Sequence, residues 1–131
     1  MHIALYKPDI PQNTAAIIRL GACFKLKIHI IEPCGFDLHD PRFKRVAMDY
    51  LGFCKIFRYK DYDKFINKNK RKRIVLMTTK AKKTIIDLTL KRMIFYYLGE
   101  KVLGCRKVYI KQLKINWKFQ WIKKLDRLML L

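Results

Sequence analysis

The most constraining feature of the sequence is an alternation of short β-type segments with segments of helical periodicity. The clearest strand is 73–79, an apolar and β-branched run that is typical of a strand buried on both faces. Further strands are predicted at 2–6, 27–32, 55–59, 84–90 and 94–98, and helices at 13–24, 40–48 and 62–67. Strands separated by helices favour an α/β fold with a parallel sheet. A length of 131 residues suits a single domain.

The first predicted helix has a candidate cap and an apolar face. Asn13 and Thr14 are residue types that cap helices, and four residues follow at helical spacing: Ile17, Leu20, Gly21 and Phe24. We expect that face to pack inward, with Cys23 beside it in the core. Arg19 lies on the other side of the helix.

Polar residues gather where the predicted strands end. Ligands of parallel sheets bind at the carboxyl ends of the strands, which points to segments 6–13, 32–36 and 77–80. The candidate site residues in or near these segments are Asn13, Arg19, Glu32, Thr78 and Thr79.

Generic catalytic and metal-binding motifs are absent from the sequence. There is no GxGxxG, no P-loop and no HExxH, and the chain contains no serine. The four cysteines are scattered without a CxxC pair, so we expect free thiols in a reducing cytoplasm and no metal site. His29 alternates within an apolar strand, which indicates a structural residue. A Cys/His nucleophilic pair has no positive support in the sequence.

Charge is the strongest compositional signal. The chain has 30 Lys and Arg against 10 Asp and Glu, a formal charge of +20. Such a balance favours a phosphate-rich partner, with nucleic acid first and a membrane surface second. No run of about 18 uncharged apolar residues occurs, so a spanning helix is not expected. The basic run 68–73 is either a phosphate contact or a solvated loop.

Several short motifs carry a family resemblance. In chain order they are LYKPDIPQNT with IIRL, HIIEP with Gly35-Phe36, Arg42, Arg45, Asp49-Tyr50 and Thr78-Thr79-Lys80. In this order and spacing, residues 1–92 resemble the SPOUT-class tRNA (cytidine/uridine-34-2′-O)-methyltransferases. Two departures are Ala15-Ala16, where the family has Gly-Asn or similar, and Leu51, where a histidine is common.

The resemblance implies a fold and a reaction. The fold is a Rossmann-like parallel sheet whose C-terminal region threads a trefoil knot around S-adenosylmethionine, in a homodimer. The reaction is 2′-O-methylation of the tRNA wobble ribose. Arg19 would help to activate the ribose hydroxyl and Asn13 would shape the site, whereas Met77 and Gly99 would contact the cofactor. The implied tRNA phosphate contacts are Arg42, Lys44 and Arg45.

The last third of the chain lacks the remaining family motifs in the frame as written. These are a G-R-E-S-x-G-V-P loop, an I-P-M strand and R-S-L-N-V-A. Read one nucleotide out of register, residues 99–105 permit Gly-Arg-Glu-Ser-Val-Gly-Val, and 118–122 permit Ile/Val, Pro/Ser, Met/Val, Asp. We infer a frameshift near Lys91-Arg92, with a family-like segment at residues 1–92, a non-native tail at 93–131 and an incomplete knot. The conventional interpretation of 107–131 is a basic amphipathic helix for RNA or membrane.

Two functions remain open at this stage. The first is an S-adenosylmethionine-dependent tRNA methyltransferase that is active in its intact frame, while the activity of the chain as written stays open. The alternative is a non-catalytic basic product that binds RNA without specificity or is degraded. The coding DNA separates them, because a confirmed shift favours the second and an intact frame the first.

Overall fold

A computed structural model of the chain describes residues 1–77 and, as backbone, the strands at 83–84, 93–98 and 116–118. These segments hold seven strands and four helices. In chain order they are β1 His2–Tyr6, α1 Pro11–Cys23, β2 Lys27–Ile31, α2 Pro41–Ala47, α3 Tyr50–Phe53, β3 Lys55–Tyr59, α4 Tyr62–Lys68, β4 Arg73–Met77, β5 Lys83–Thr84, β6 Met93–Leu98 and β7 Asn116–Lys118. Within the described residues, no helix is long and apolar enough to cross a membrane.

The strands form one sheet in the order β3-β2-β1-β6-β4-β7-β5. Every pair is parallel, so the predicted parallel α/β fold is confirmed. The four strands of the first half are not contiguous, however, because β6 lies between β1 and β4. The sequence of β6, MIFYYL, is apolar and aromatic, as a central strand of a parallel sheet requires.

Most predicted boundaries agree with the structure within one or two residues. The strand predicted at 27–32 ends at Ile31, and the strand predicted at 73–79 is described to Met77. Of segment 84–90, only Thr84 lies in a described strand, and residues 85–90 lie outside the described residues. The amphipathic-helix interpretation of the tail is wrong at 116–118, which form β7.

Two apolar layers enclose the sheet, because side chains along a strand alternate between its faces. On one face, α1, α2 and α3 cover a cluster built around Leu5, Ile18, Ile28 and Ile30. On the other face, α4 covers a cluster that contains Phe65.

The inward face of α1 differs from the prediction. The helix begins at Pro11, with Ile10 as its N-cap and no side-chain cap, so capping by Asn13 or Thr14 is wrong. Proline suits the first helical position, since its fixed φ is already helical and its missing N–H is not needed there. The buried residues are Thr14, Ala15, Ile18 and Gly21.

Small side chains explain this rotation of α1. A Cβ built on Gly21 would lie 2.8 Å from Cδ1 of Ile28 and 3.1 Å from Sγ of Cys54, so the helix packs so close to the sheet that a larger residue here would displace these side chains. Leu20 and Phe24, predicted to be inside, are 48% and 67% exposed. Cys23, predicted in the core, is also exposed.

A chain of polar side chains crosses the α4 face of the sheet. Nδ1 of His2 lies 2.8 Å from Nε2 of His29, and Nδ1 of His29 lies 2.9 Å from the Tyr59 hydroxyl. The His29 ring also stacks on Phe57, with centroids 5.0 Å apart, and is almost completely buried. The structural role predicted for His29 is confirmed.

This histidine pair predicts a loss of stability in acid. Burial, with Lys72 next, lowers the pKa of His2 from 6.5 to about 4, and burial, with His2 next, lowers the pKa of His29 to about 4. The stabilising contribution is therefore complete above pH 6.5 and is lost as the pH falls toward 4. Because solvent screens this partly exposed pair, the effect is smaller than two full shifts would give, and we expect urea titrations to show a free energy of unfolding lower by about 1–2 kcal/mol at pH 5 than at pH 7. His29→Gln should flatten this difference; equal stability of the unsubstituted chain at both pH values would contradict the assignment.

Candidate functional site

The polar edge of the sheet lies beside the point where the strand order reverses. β1 has β2 on one side and β6 on the other, and β4 lies beyond β6. Tyr6 is paired with Leu98, and Met77 with Tyr97. The carboxyl ends of β1, β6 and β4 therefore lie side by side and nearly level. Such a switch point forms a crevice that binds ligands in open α/β sheets.

Backbone hydrogen bonds join the turns that leave this edge. The N–H of Lys7 donates to the carbonyl of Ile31 at 2.8 Å, and the N–H of Glu32 donates to the carbonyl of Tyr59 at 2.8 Å. The N–H of Gly35 donates to the carbonyl of Pro8 at 2.9 Å. The predicted segments 6–13 and 32–36 thus share one hydrogen-bonded edge. Segment 77–80 reaches the same edge with Met77, and residues 78–80, including Thr78 and Thr79, lie outside the described residues.

Gly35 is required for the contact between these turns. A Cβ on Gly35 would lie 3.0 Å from Cα of Asp9 and against the Asp9 carboxylate. We expect Gly35→Ala to push the two turns apart and to lower the free energy of unfolding by about 1–3 kcal/mol, as overpacking does. The matched control is Gly52→Ala in α3, where a Cβ meets nothing within 4 Å. Thermal unfolding measures both, and equal melting temperatures for the two variants would show that the turns adjust freely.

The two residues proposed for catalysis do not lie together on α1. Asn13 is exposed in the first turn, whereas Arg19 is half-buried in the middle of the helix. Six positions along an α-helix place them about 120° apart around its axis. Arg19 makes no hydrogen bond or ion pair with any residue that the structure describes. Its guanidinium is thus available for an anionic or developing negative group.

An open cleft of about 430 Å³ lies at the carboxyl ends of β2 and β3. Its charged wall is an ion pair between Arg58 and Glu32, with Nη2 and Oε1 2.6 Å apart. Nη1 of Arg58 also lies 2.7 Å from Nε2 of His39. The strand-end pattern predicts Glu32 but misses Arg58 and His39, because they come from other segments of the chain. The sequence signal for Arg58 was only that it is a polar residue within β3, the strand paired with β2, which Glu32 follows.

The thiols in this region are poor nucleophiles. Burial, assisted by the Glu32 carboxylate, raises the pKa of Cys34 to about 11, and burial raises the pKa of Cys54. Only the thiolate attacks effectively, so both cysteines are protonated at neutral pH. Thiolate chemistry by Cys34 or Cys54 is therefore disfavoured.

The predicted tRNA contacts lie on α2. Arg42, Lys44 and Arg45 are all exposed. Arg42 donates from Nη2 to Oδ2 of Asp40 at 2.8 Å, while the backbone N–H of Arg42 donates to Oδ1 of the same carboxylate, which caps the helix. These hydrogen bonds lower the pKa of Asp40. Lys44 and Arg45 form the basic last turn of α2 and have no such partner among residues 1–77.

The predicted cofactor contacts lie at the ends of two strands. Met77 ends β4 and is half-buried. Gly99 follows β6 directly in sequence and lies outside the described residues. An apolar, half-buried strand end fits the adenosine portion of a nucleoside cofactor, which is bound largely by apolar contact with a few polar groups to orient it. The described residues therefore fit S-adenosylmethionine as far as they extend.

The parallel sheet and the polar turns beside its switch point place this protein in the class of open α/β proteins that bind ligands at the carboxyl ends of their strands. Within this class, the sequence profile of the SpoU rRNA methylase family matches residues 1–123. The chain belongs to the SpoU methylase family. The matched range extends beyond residue 92, where the resemblance in individual motifs ends.

Individual relatives are consistent with this assignment. The tRNA (cytidine(34)-2'-O)-methyltransferase of Escherichia coli strain K12 is 42% identical over 81 residues, which cover 62% of this chain and 52% of that protein. The chain thus spans about half the length of this curated relative.

Solved structures show the same fold. One, from work on 2-OH methylation of C/U34 on tRNA, aligns with a TM-score of 0.84 at 22% identity and covers 92% of this chain and 80% of that chain. The SpoU methyltransferase AviRb from Streptomyces viridochromogenes, in complex with AdoMet, aligns with a TM-score of 0.79 at 12% identity and covers 92% and 48%.

Proposed function

We propose that the intact gene product is a tRNA 2′-O-methyltransferase that acts on the wobble nucleotide, C34 or U34, with S-adenosylmethionine as the methyl donor. The observation that carries this proposal is the 42% identity to a tRNA (cytidine(34)-2'-O)-methyltransferase over 81 residues. It favours the enzyme over a non-catalytic basic product.

The chemistry requires a ribose hydroxyl to be made nucleophilic. Its oxygen forms a bond to a methyl carbon while the bond from that carbon to sulfur breaks, and the hydroxyl proton leaves to water. S-adenosylmethionine supplies the electrophilic methyl group when bound. The guanidinium of Arg19 is permanently protonated, so it acts by stabilising the negative charge that develops on the ribose oxygen rather than as a base.

The other side chains position the reactants. The backbone at Met77 and Gly99 would hold the cofactor at the crevice, and Asn13 would shape the site at the start of α1. Lys44 and Arg45, which have no ion-pair partner among the described residues, would bind tRNA phosphates together with Arg42. Phosphate contacts fix the position of an RNA without reading its sequence.

The proposal includes a homodimer in the cytoplasm. Leu20 and Phe24 on α1 and Phe53 on α3, which is 79% exposed, form apolar surface on neighbouring helices, and burial against a second copy would remove it from water. The free thiols of Cys23, Cys34 and Cys54 are typical of a reducing compartment.

We also propose that residues 93–131 are read out of frame. The support is the set of family motifs that the shifted reading supplies in the right order. An out-of-frame reading is compatible with β6, because 92–97 permit Asn-Asp-Ile-Leu-Leu in the other frame, and its last three residues are apolar, as in a buried strand. Sequencing the gene across codons 88–95 tests this directly.

The function is tested on the frame-restored chain. Purified protein, S-adenosylmethionine and an unmodified tRNA transcript are incubated, and the nucleosides are analysed by mass spectrometry. We expect 2′-O-methylcytidine or 2′-O-methyluridine at position 34. Methylation of the base instead of the ribose, or none on a panel of wobble C and U tRNAs, would contradict the proposal.

A further inference from the structure

The amino ends of the strands carry a concentration of positive charge that the proposed reaction does not use. In a parallel sheet all amino ends lie at one edge, opposite the crevice. Five-residue strands put these edges about 16 Å apart. We call the exposed cations at this edge the basic edge; they are Lys25, Lys27, Lys55, Lys68, Lys70, Arg71, Lys72 and Arg73.

The strand register aligns the first half of this surface. His2, Lys27 and Lys55 begin β1, β2 and β3 and are directly paired with one another. Neighbouring strands are about 4.8 Å apart, so these residues form a short row across the end of the sheet. Lys25 precedes the row in a turn with a positive φ of 51°.

The second half of the basic edge is an ordered turn. Asn69 is buried, and its Nδ2 donates to the carbonyl of Phe65 at 2.8 Å. The N–H of Lys72 donates to the carbonyl of Asn69 at 2.9 Å, and Nζ of Lys72 donates to Oδ1 of Asn69 at 3.0 Å. The run 68–73 is therefore anchored to the fold, unlike the solvated loop considered from its sequence.

The two halves lie close together in space. The pKa of His2 is lowered by burial and then by the charges of Lys72 and Lys27, so both cations act on the same imidazole. The turn at 69–72 and the start of β2 thus flank the start of β1.

Negative charge is placed at the other edge. Among the described residues, the carboxylates that lie at the carboxyl ends of strands or in the turns after them are Asp9, Glu32, Asp37, Asp40 and Asp61. Asp63 lies in the first turn of α4, which begins at the same edge, and Asp49 lies between α2 and α3. The ion pairs of residues 1–77 are Arg42–Asp40, Arg58–Glu32 and Lys64–Asp61. None of these pairs involves the basic edge. Lys72 donates to Asn69 and Lys68 lies over the Tyr59 ring, and no cation of the basic edge is neutralised by a carboxylate among the described residues.

We propose that the basic edge is a second RNA-binding surface, which holds the phosphate backbone of a tRNA stem away from the methylated nucleotide. The tRNA in this proposal rests on the proposed function. A phosphate backbone matches a row of cations that have no carboxylate partner among residues 1–77. Neutralisation of its phosphates releases counterions, which favours binding. The run 68–73 contains no apolar side chain that could enter a bilayer, which a membrane-surface site would require.

The test compares two variants of the 131-residue chain with equal change in net charge. Lys70→Gln with Arg71→Gln removes two cations of the basic edge, and Lys60→Gln with Lys64→Gln removes two at the opposite edge. Binding of a fluorescent unmodified tRNA transcript is measured by anisotropy without cofactor, from 50 to 200 mM salt. We expect the first variant to lower the slope of log K against log salt by about 1.4–1.8, and the control to change it by much less.

With this slope change, the factor by which tRNA affinity rises from 200 to 50 mM salt is about tenfold smaller for the edge variant than for the unsubstituted chain. The charge-preserving exchange Lys70→Arg with Arg71→Lys should keep the slope of the unsubstituted chain, which separates loss of charge from loss of structure. An unrelated RNA hairpin should show the same loss, because phosphate contacts carry no sequence information. Equal slopes for the edge and control variants would overturn the proposal, as would an edge effect on phosphatidylserine vesicles without one on RNA. The experiment measures RNA binding and not methyl transfer. Failure of the proposed methylation would therefore not change its outcome, and the two proposals can fail separately.

Discussion

Replacement of Arg19 by alanine in the frame-restored chain is expected to lower the rate of methyl transfer about 100-fold or more, while binding of S-adenosylmethionine persists. This magnitude is typical of the loss of one positioned donor that stabilises developing negative charge. Arg19 is half-buried on α1, and side chains on a helix lean toward its N-terminus. On α1 that direction is toward the carboxyl edge of the sheet and the crevice. The rate is measured by single turnover with saturating cofactor and tRNA, and binding by calorimetry.

Two further variants make the Arg19 result specific. Cys23→Ala changes an exposed residue one turn further along the same flank of α1, away from the crevice, and should leave the rate unchanged. Arg19→Lys retains the charge but not the planar fork of donors, so we expect partial activity. Full turnover in Arg19→Ala would remove the catalytic role from this residue, and loss of cofactor binding in the same variant would assign it a structural role.

The elements of the fold that depend on local pattern were predictable from the sequence. β1 and β3 have the predicted bounds, because each is a short segment rich in aliphatic and aromatic residues between turn residues. Gly21 is buried as predicted, but the rotation of the rest of α1 was not predictable from hydrophobicity alone, since Leu20 and Phe24 are larger and more apolar than the buried Thr14 and Ala15. The close approach of α1 to Ile28 selects small residues, and that constraint comes from the neighbouring strand rather than from the helix.

Strand order and contacts between strands were beyond the local pattern. Nothing in the sequence of β6 states that it separates β1 from β4, because order is decided by the packing of the whole sheet. The same holds for the ion pair between Arg58 in β3 and Glu32 just after β2, which forms because these two strands are neighbours in the sheet. The location of the candidate site at the carboxyl edge was predictable, since ligands of parallel sheets bind at the carboxyl ends of the strands. The pairs of residues that contact each other at this edge were not predictable.

Binding of S-adenosylmethionine should separate the chain as written from its frame-restored form. The resemblance to the methyltransferases implies a pocket built from segments after Thr79, including a glycine-rich loop and an I-P-M strand. In the written frame, Glu100-Lys101-Val102-Leu103 stands between Gly99 and Gly104, and 118–121 read Lys-Phe-Gln-Trp. Glycine allows the backbone to approach a ligand closely, and bulky side chains in such a loop prevent that approach.

We therefore expect no measurable binding of S-adenosylmethionine by the 131-residue chain and micromolar binding, about −8 kcal/mol, by the frame-restored chain. Isothermal titration calorimetry measures both. Acid sensitivity of the His2–His29 pair provides a folding control, because that pair lies in residues 1–77, which the two chains share. Micromolar binding by the chain as written would show that its tail builds a real pocket and that the frameshift proposal is wrong. Absence of binding by a folded, frame-restored chain would instead refute the proposed cofactor, because that chain contains the glycine-rich loop and the strand that should form the cofactor pocket.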